Sequence, residues 1–173
     1  MARAIRGGPL GSRLVPASSR HVAALRDGFN SGAVAATTIW RLPRSTVAFA
    51  SGKEAVRRYA IEVEGRLVGV CGLWAGRYAG LELTIAIFDP RLRNLGIGTF
   101  AVSALCRIAF ADIKSHRVEL GVYPQNAGAI RAYAKCGFRR EALLRRYMYH
   151  NGRWRDVLWM SLLRRDWKIA SPM

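Results

Sequence analysis

The chain has 173 residues, 51% of them hydrophobic, which suffices for one domain with a sizeable buried core. Its formal net charge is +17, from 28 basic and 11 acidic residues, and 24 of the basic residues are arginine. Such a field disfavours capture of a free polycation and attracts polyanions: nucleic acid, ribosome, an acidic membrane surface or a phosphorylated cofactor. A solvated basic surface with no dedicated partner meets the charge equally well. No apolar run reaches the eighteen residues or so of a membrane span. Cys71, Cys106 and Cys136 are odd in number and widely spaced, which excludes a disulfide framework or a zinc ribbon and fits a reducing, cytoplasmic compartment. His21, His116 and His150 show no ligand spacing, so no metal is expected.

Residues 1–12 are basic and acid-free, lack the apolar core of a secretory signal, and are expected to form a disordered tail ahead of a single domain at 13–168. Leu14-Val15-Pro16 suggests a strand end, and Ser18 or Ser19 a cap for a helix through Val22, Leu25 and Phe29. Residues 32–44, with Trp40 and Pro43, look irregular. Ser51 with Glu54 resembles a capping box opening a short helix that includes Ala55 and Val56. Tyr59 to Val63, the turn Glu64-Gly65 and Leu67 to Trp74 form an antiparallel pair, and Leu81 to Phe88 a third strand. A helix follows Gly98, with Phe100, Ala101, Ala104, Leu105, Ile108 and Ala109 on one face. Val118 to Tyr123 is a strand, and Asn126 opens a helix that Gly137 closes in the left-handed conformation. Glu141 to Tyr149 and Trp154 to Leu163 make a terminal hairpin about Asn151-Gly152, a pair that favours a type I′ turn. The fold class is α/β: a mixed, mostly antiparallel sheet flanked by helices, with one βαβ crossover.

The segment Arg93-Asn94-Leu95-Gly96-Ile97-Gly98 joins a strand, past Asp89-Pro90, to a helix N-terminus. Free N–H groups and the helix dipole make such a place an anion site, and glycine lets the backbone approach a phosphate. Arg91 and Arg93 add charge. A nucleoside-triphosphate loop would need Lys-Ser/Thr after its last glycine, where this chain has Thr99-Phe100. A dinucleotide fingerprint should follow its strand directly, whereas Asp89 to Leu95 intervene here. A glycine turn that binds nothing is the remaining reading of the loop by itself.

Downstream, Asn126 opens its helix, Tyr133 follows seven residues on, and Gly137-Phe138 closes it. Together with Arg93-x-x-Gly96-x-Gly98, from about Leu14 to Trp167, this resembles the GNAT N-acetyltransferase superfamily. The hairpin Tyr149-His150-Asn151-Gly152-Arg153-Trp154-Arg155-Asp156 is most similar to the branch with ribosomal-protein N-terminal acetyltransferases and spermidine acetyltransferases. The resemblance implies acetyl-CoA lying between strands 81–88 and 118–123. Backbone groups of Ala86, Ile87 and Phe88 would pair with the pantetheine arm. Backbone N–H groups of Arg93, Asn94, Leu95, Gly96, Ile97, Gly98 and Thr99 would hold the pyrophosphate. Asn126 would hydrogen-bond the pantetheine amides, and Tyr133 would protonate the departing thiolate, whose thiol has a pKa near about 8.5.

An amine acceptor must lose a proton before attack, and a strand N–H can stabilise the oxyanion that develops. Glu82 is the candidate base; a solvent-facing or substrate-anchoring carboxylate is its equal alternative. The glutamate that some family members carry five residues before the Asn is Gly121 here, and Glu119 is expected to lie too far from the reaction centre. Asn94 replaces a usual glycine but tolerates the left-handed region, and Leu95 replaces a usual cation. The expected function is N-acetyl transfer to a primary amine, led by a protein N-terminus with a ribosome or RNA contact through the basic surface. The alternatives are a small-molecule or polyamine acceptor, or a non-catalytic RNA- or ribosome-binding module on the same fold. The acceptor pocket is expected between residues 32–44 and the terminal hairpin, in a monomer or homodimer.

Overall fold

The computed structural model describes residues 3–30, 55–76 and 80–167. The irregular stretch at 32–44, the part of the acceptor pocket assigned to it, and the cap at Ser51 with Glu54 lie outside these residues. Strands β1 (Arg13–Pro16), β2 (Ala55–Val63), β3 (Arg66–Ala75), β4 (Leu81–Ile87), β5 (Arg117–Val122), β6 (Arg139–His150) and β7 (Arg153–Leu163) form one sheet in the order β1-β2-β3-β4-β5-β7-β6. Every neighbouring pair is antiparallel except β4 and β5. The described helices are α1 (Val22–Asn30), α2 (Ile97–Arg107) and α3 (Ala127–Lys135), and α2 runs on into a wider π turn at Ile108–Asp112. No helix among the described residues is long and apolar enough to cross a membrane.

Alternation along the strands divides the side chains between two layers. Leu81, Leu83, Val118, Leu120, Val122, Met160 and Leu162 face α2 and α3, where Ile97, Ala101, Leu105 and Ile130 complete the main core. Each such Leu or Ile contributes roughly 1.5–3 kcal/mol by leaving water. On the other face α1 lays Leu25 and Phe29 over Val70, Ala86 and Phe88. Gly28 permits that approach, since a Cβ there would stand 2.2 Å from the Phe88 ring. The turns Glu64-Gly65 and Asn151-Gly152 have positive φ at both residues, as the I′ type requires.

Two expectations change. Ala55 and Val56 open β2 rather than a helix, and Ala55 pairs with Trp74. The described part of the supposed tail, residues 3–12, is held: Ile5 bridges Leu14 with backbone bonds of 2.8 Å in both directions. Pro9 comes to rest against Gly96, and Gly8 lies over Phe100. Backbone pairing with β1 and apolar contact with α2 therefore hold this basic, glycine-rich segment.

The feature that positions the site is the junction of β4 and β5. They pair only at Leu81↔Val118 and Glu82↔Glu119, then separate. Beyond that point each strand presents backbone polar groups to an open fork, and such groups need a partner.

Candidate active site

The fork opens into a cleft of about 1560 Å³, walled by β4, β5, the 93–99 loop, α3 and the hairpin. Leu92 and Arg93 spend their backbone N–H groups on Asp89 and Pro90, and Phe100 spends its own on Gly96. Among the described residues, no hydrogen bond engages the N–H of Asn94, Leu95, Gly96, Ile97, Gly98 or Thr99. These groups lie at the start of α2, where the dipole favours an anion. Asn94 has φ 62 and Gly96 φ 84, so the left-handed turn expected of Asn94 does form. Leu95 is 46% exposed and brings no cation. Gly98 has nothing within 4 Å of where a Cβ would stand. The N-terminus of α3 arrives beside it, since a Cβ on Gly128 would lie 3.2 Å from Asn94 Oδ1.

The structure therefore narrows the expected donor set from 93–99 to 94–99. Arg93 instead ties the loop to the strand end, its Nη2 donating to Ile87 O at 3.1 Å. On β4 the expectation also shifts by one residue. Phe88 N–H donates to Val68 O at 2.9 Å, towards β3. By alternation Ala86 faces the same way and Ile85 and Ile87 face the fork. Of Ala86, Ile87 and Phe88, only Ile87 directs its backbone into the gap.

Asn126 caps α3, with Oδ1 accepting from Ala129 N at 3.1 Å, and lines the cleft. Tyr133, two turns along the same helix, is 7% exposed, packs on Phe138 at 6.0 Å and also lines the cleft. Burial, with a smaller contribution from Cys136, pushes its phenol well above the usual range, so it stays protonated. Cys136 reaches Thr99 O at 3.6 Å and joins the end of α3 to the glycine loop.

Glu82 lies at the base of the fork, opposite Trp74 on β3 and beside Glu119 on β5. Burial and then the Glu119 charge raise its pKa above the ordinary carboxylate range. Glu119 lines the same cleft, in direct register with Glu82 at the base of the fork. Arg117 Nε holds Glu119 Oε2 at 2.8 Å while its Nη atoms hold Glu141, which Ser161 also bonds. Gly121 lies two residues along β5 and carries no carboxylate, as the sequence indicates. The sequence reading missed the walls: Trp74, Trp159, Tyr123 and Arg155 all line the cleft. Alternation in 117–123 is the available signal for Tyr123, but only pairing of Trp159 with Gly121 and of Arg155 with Met148 brings those two to the cleft.

A fork of diverging strands, bounded by unengaged N–H groups and a protonated tyrosine, is the frame already named from the sequence. The acetyltransferase (GNAT) family model matches residues 16–138. The chain belongs to this family. A probable N-acetyltransferase, YjcK of Bacillus subtilis, is 34% identical over 105 residues, covering 60% of this chain; the chain spans 58% of that relative's length. Among solved structures, spermidine N-acetyltransferase from Vibrio cholerae, in complex with CoA and spermine, superposes with TM-score 0.75 at 20% identity, covering 90% of this chain and 96% of that one. The ribosomal-protein-S5-alanine acetyltransferase from Vibrio fischeri gives TM-score 0.76 at 19% identity, covering 91% and 95%. At these identities the structural matches establish a shared GNAT fold.

Proposed function

We propose that the protein is an acetyl-CoA-dependent N-acetyltransferase acting on a primary amine, with a protein N-terminus presented near RNA as the acceptor. The observation that carries the reading is the β4/β5 fork, which lies between the donors of residues 94–99 and the carboxylate of Glu82. Residues 94–99 fit a pyrophosphate: they offer N–H groups rather than side-chain bulk, and Gly98 leaves open space. Ile85 and Ile87 offer a strand edge to a pantetheine arm. Bound there, acetyl-CoA would supply the acyl thioester.

Each residue then has a defined task. Glu82, whose raised pKa suits a base, accepts the ammonium proton directly or through water. A strand N–H facing the fork donates to the carbonyl oxygen as it gains charge. Tyr133, buried and protonated, gives its proton to the departing sulfur. Positioning supplies much of the rest.

The acceptor preference rests on the hairpin that forms the outer wall. Its Arg139, Arg140, Arg145, Arg146 and Arg153 are exposed, as are Tyr147, Tyr149 and Trp154. Tyr149 and Trp154 pack edge-on at 5.4 Å. Arginines interleaved with exposed aromatics suit phosphate contact and base stacking. A small cationic amine is the second reading, favoured by Glu82, Glu119 and Glu141 all lining one cleft of a chain with net charge +17.

The test is a mass assay of acetyl-CoA with a panel of N-terminal peptides and small amines, with Tyr133→Phe alongside. Acetylation of peptides, reduced in the variant, supports the reading; acetylation of polyamines alone transfers support to the second. RNA binding with steep salt dependence and no acetyl-CoA binding would leave a binding module instead.

A further inference from the structure

The cleft carries a polar cluster that the proposed transfer leaves unused. At the end of β5, Tyr123 Oη and His150 Nδ1 lie 2.8 Å apart with their rings stacked. The Arg155 guanidinium stands over the Tyr123 ring, 5.8 Å from its centre. Arg155 Nε is buried and has no hydrogen-bond partner among the described residues. Arg153, two residues back on β7, lines the same wall. The adjacent acid, Asp156, points to the other side of β7 and accepts from Arg146 N at 2.8 Å.

A buried donor without an acceptor is costly and in a binding cleft marks a place for a ligand atom. The Nε and Nη edge of a guanidinium matches the two oxygens of a carboxylate. Tyr123 forms an apolar floor that shields the pair from water, where a charged hydrogen bond is stronger. The carboxylates of Glu82, Glu119 and Glu141 gather where β4 meets β5, whereas Arg155 stands over Tyr123 beyond the end of β5.

Resting on the proposed amine acetyltransferase activity, we infer that Arg155, with Arg153 beside it and Tyr123 beneath it, is a carboxylate subsite of the acceptor. The acceptor is therefore a peptide whose N-terminal amine is followed by an acidic residue. Spacing selects a peptide over a free amino acid. Tyr123 lies four residues beyond Glu119, the register partner of the proposed base Glu82, a separation of roughly 13 Å along the chain. A free amino acid separates its amine and carboxylate by only about 3 Å, whereas an acidic side chain at the second peptide position reaches roughly 7 Å or more.

The experiment compares kcat and KM of the full chain with acetyl-CoA on amidated peptides that carry Asp, Glu, Ala or Lys at the second position, together with free aspartate and glutamate. The acidic peptides are expected to show KM lower by about tenfold or more than the Ala peptide, with kcat similar and the advantage shrinking as salt is raised. Arg155→Gln is expected to erase that preference, and Arg155→Lys to keep part of it, because the charge stays while the fork is lost. Equal KM for acidic and neutral peptides, a preference that survives Arg155→Gln, or faster turnover of the free amino acids would each overturn the subsite while leaving the acetyltransferase reading standing. Acetylation of no peptide would remove both. Should Arg155→Gln fail to fold by thermal melting, Arg155→Lys with the salt series decides.

Discussion

The two ends of the cleft are built by different means. The end proposed for the cofactor relies on backbone: unengaged N–H groups of residues 94–99, a strand edge at Ile85 and Ile87, and a cap at Asn126. The end proposed for the acceptor relies on side chains that converge from β4, β5, β6 and β7 and the residue after β5: Glu82, Glu119 with Arg117, Glu141, Tyr123 and Arg155. Backbone donors tolerate drift in residue identity provided φ is allowed, which explains how Asn94 and Leu95 occupy a loop usually richer in glycine and cations. The acceptor end has no such tolerance, because each partner is fixed by strand register.

The largest expected effect is at Tyr133, the proposed acid. Tyr133→Phe should lower kcat by about 10²-fold or more, as loss of a general acid does, while acetyl-CoA affinity in calorimetry stays within a few-fold. An unchanged kcat would remove Tyr133 from the chemistry. Glu82→Gln should lower kcat/KM by roughly 10²-fold near neutral pH and abolish the acid limb of the pH–rate profile. In the parent that limb is expected above the ordinary carboxylate range, because the proposed base must be deprotonated to act and the Glu82 pKa is raised. Activity is therefore expected to rise as pH rises through that pKa, while Tyr133, kept protonated by burial, adds no fall around neutral pH.

At the cofactor end, Gly96→Val places a β-branched residue at φ 84 and a Cβ 3.1 Å from Pro9. Strain of roughly 1–3 kcal/mol should weaken acetyl-CoA binding while sparing peptide selectivity. A change in selectivity with affinity intact would show that the ends are not separable. The smallest expected effect is that of Glu119→Gln. Removing its charge lowers the Glu82 pKa, so the acid limb moves to lower pH and the plateau rate falls by about a few-fold as the base weakens. A limb that does not move would mean that Glu119 serves the Arg117 pair alone.

The same division explains what was legible in the sequence. Local rules govern the cofactor end. Glycine spacing, a capping Asn and a left-handed Gly137 are each specified within one turn of chain, so the 94–99 loop, Asn126 and Tyr133 could be placed on their elements. The errors there are single-residue ones: which of Ala86, Ile87 and Phe88 faces the fork depends on pairing with β3. The acceptor end depends on register between distant segments. For Glu119, alternation gives the face but not the neighbour, and only the Glu82↔Glu119 pairing reveals that. Residues 3–12 failed for a related reason: a Gly-Pro-rich composition says nothing of the apolar surface of α2 waiting for Gly8 and Pro9.

The most direct test of the central claim is a single-turnover assay in which the full chain is mixed with acetyl-CoA and an amidated N-terminal peptide, following free thiol and peptide mass together. The account predicts that one thiol is released for each acetyl group gained on the peptide amine, and that Tyr133→Phe slows both equally. Thiol release without peptide acetylation, or no thiol release despite bound acetyl-CoA, would contradict it.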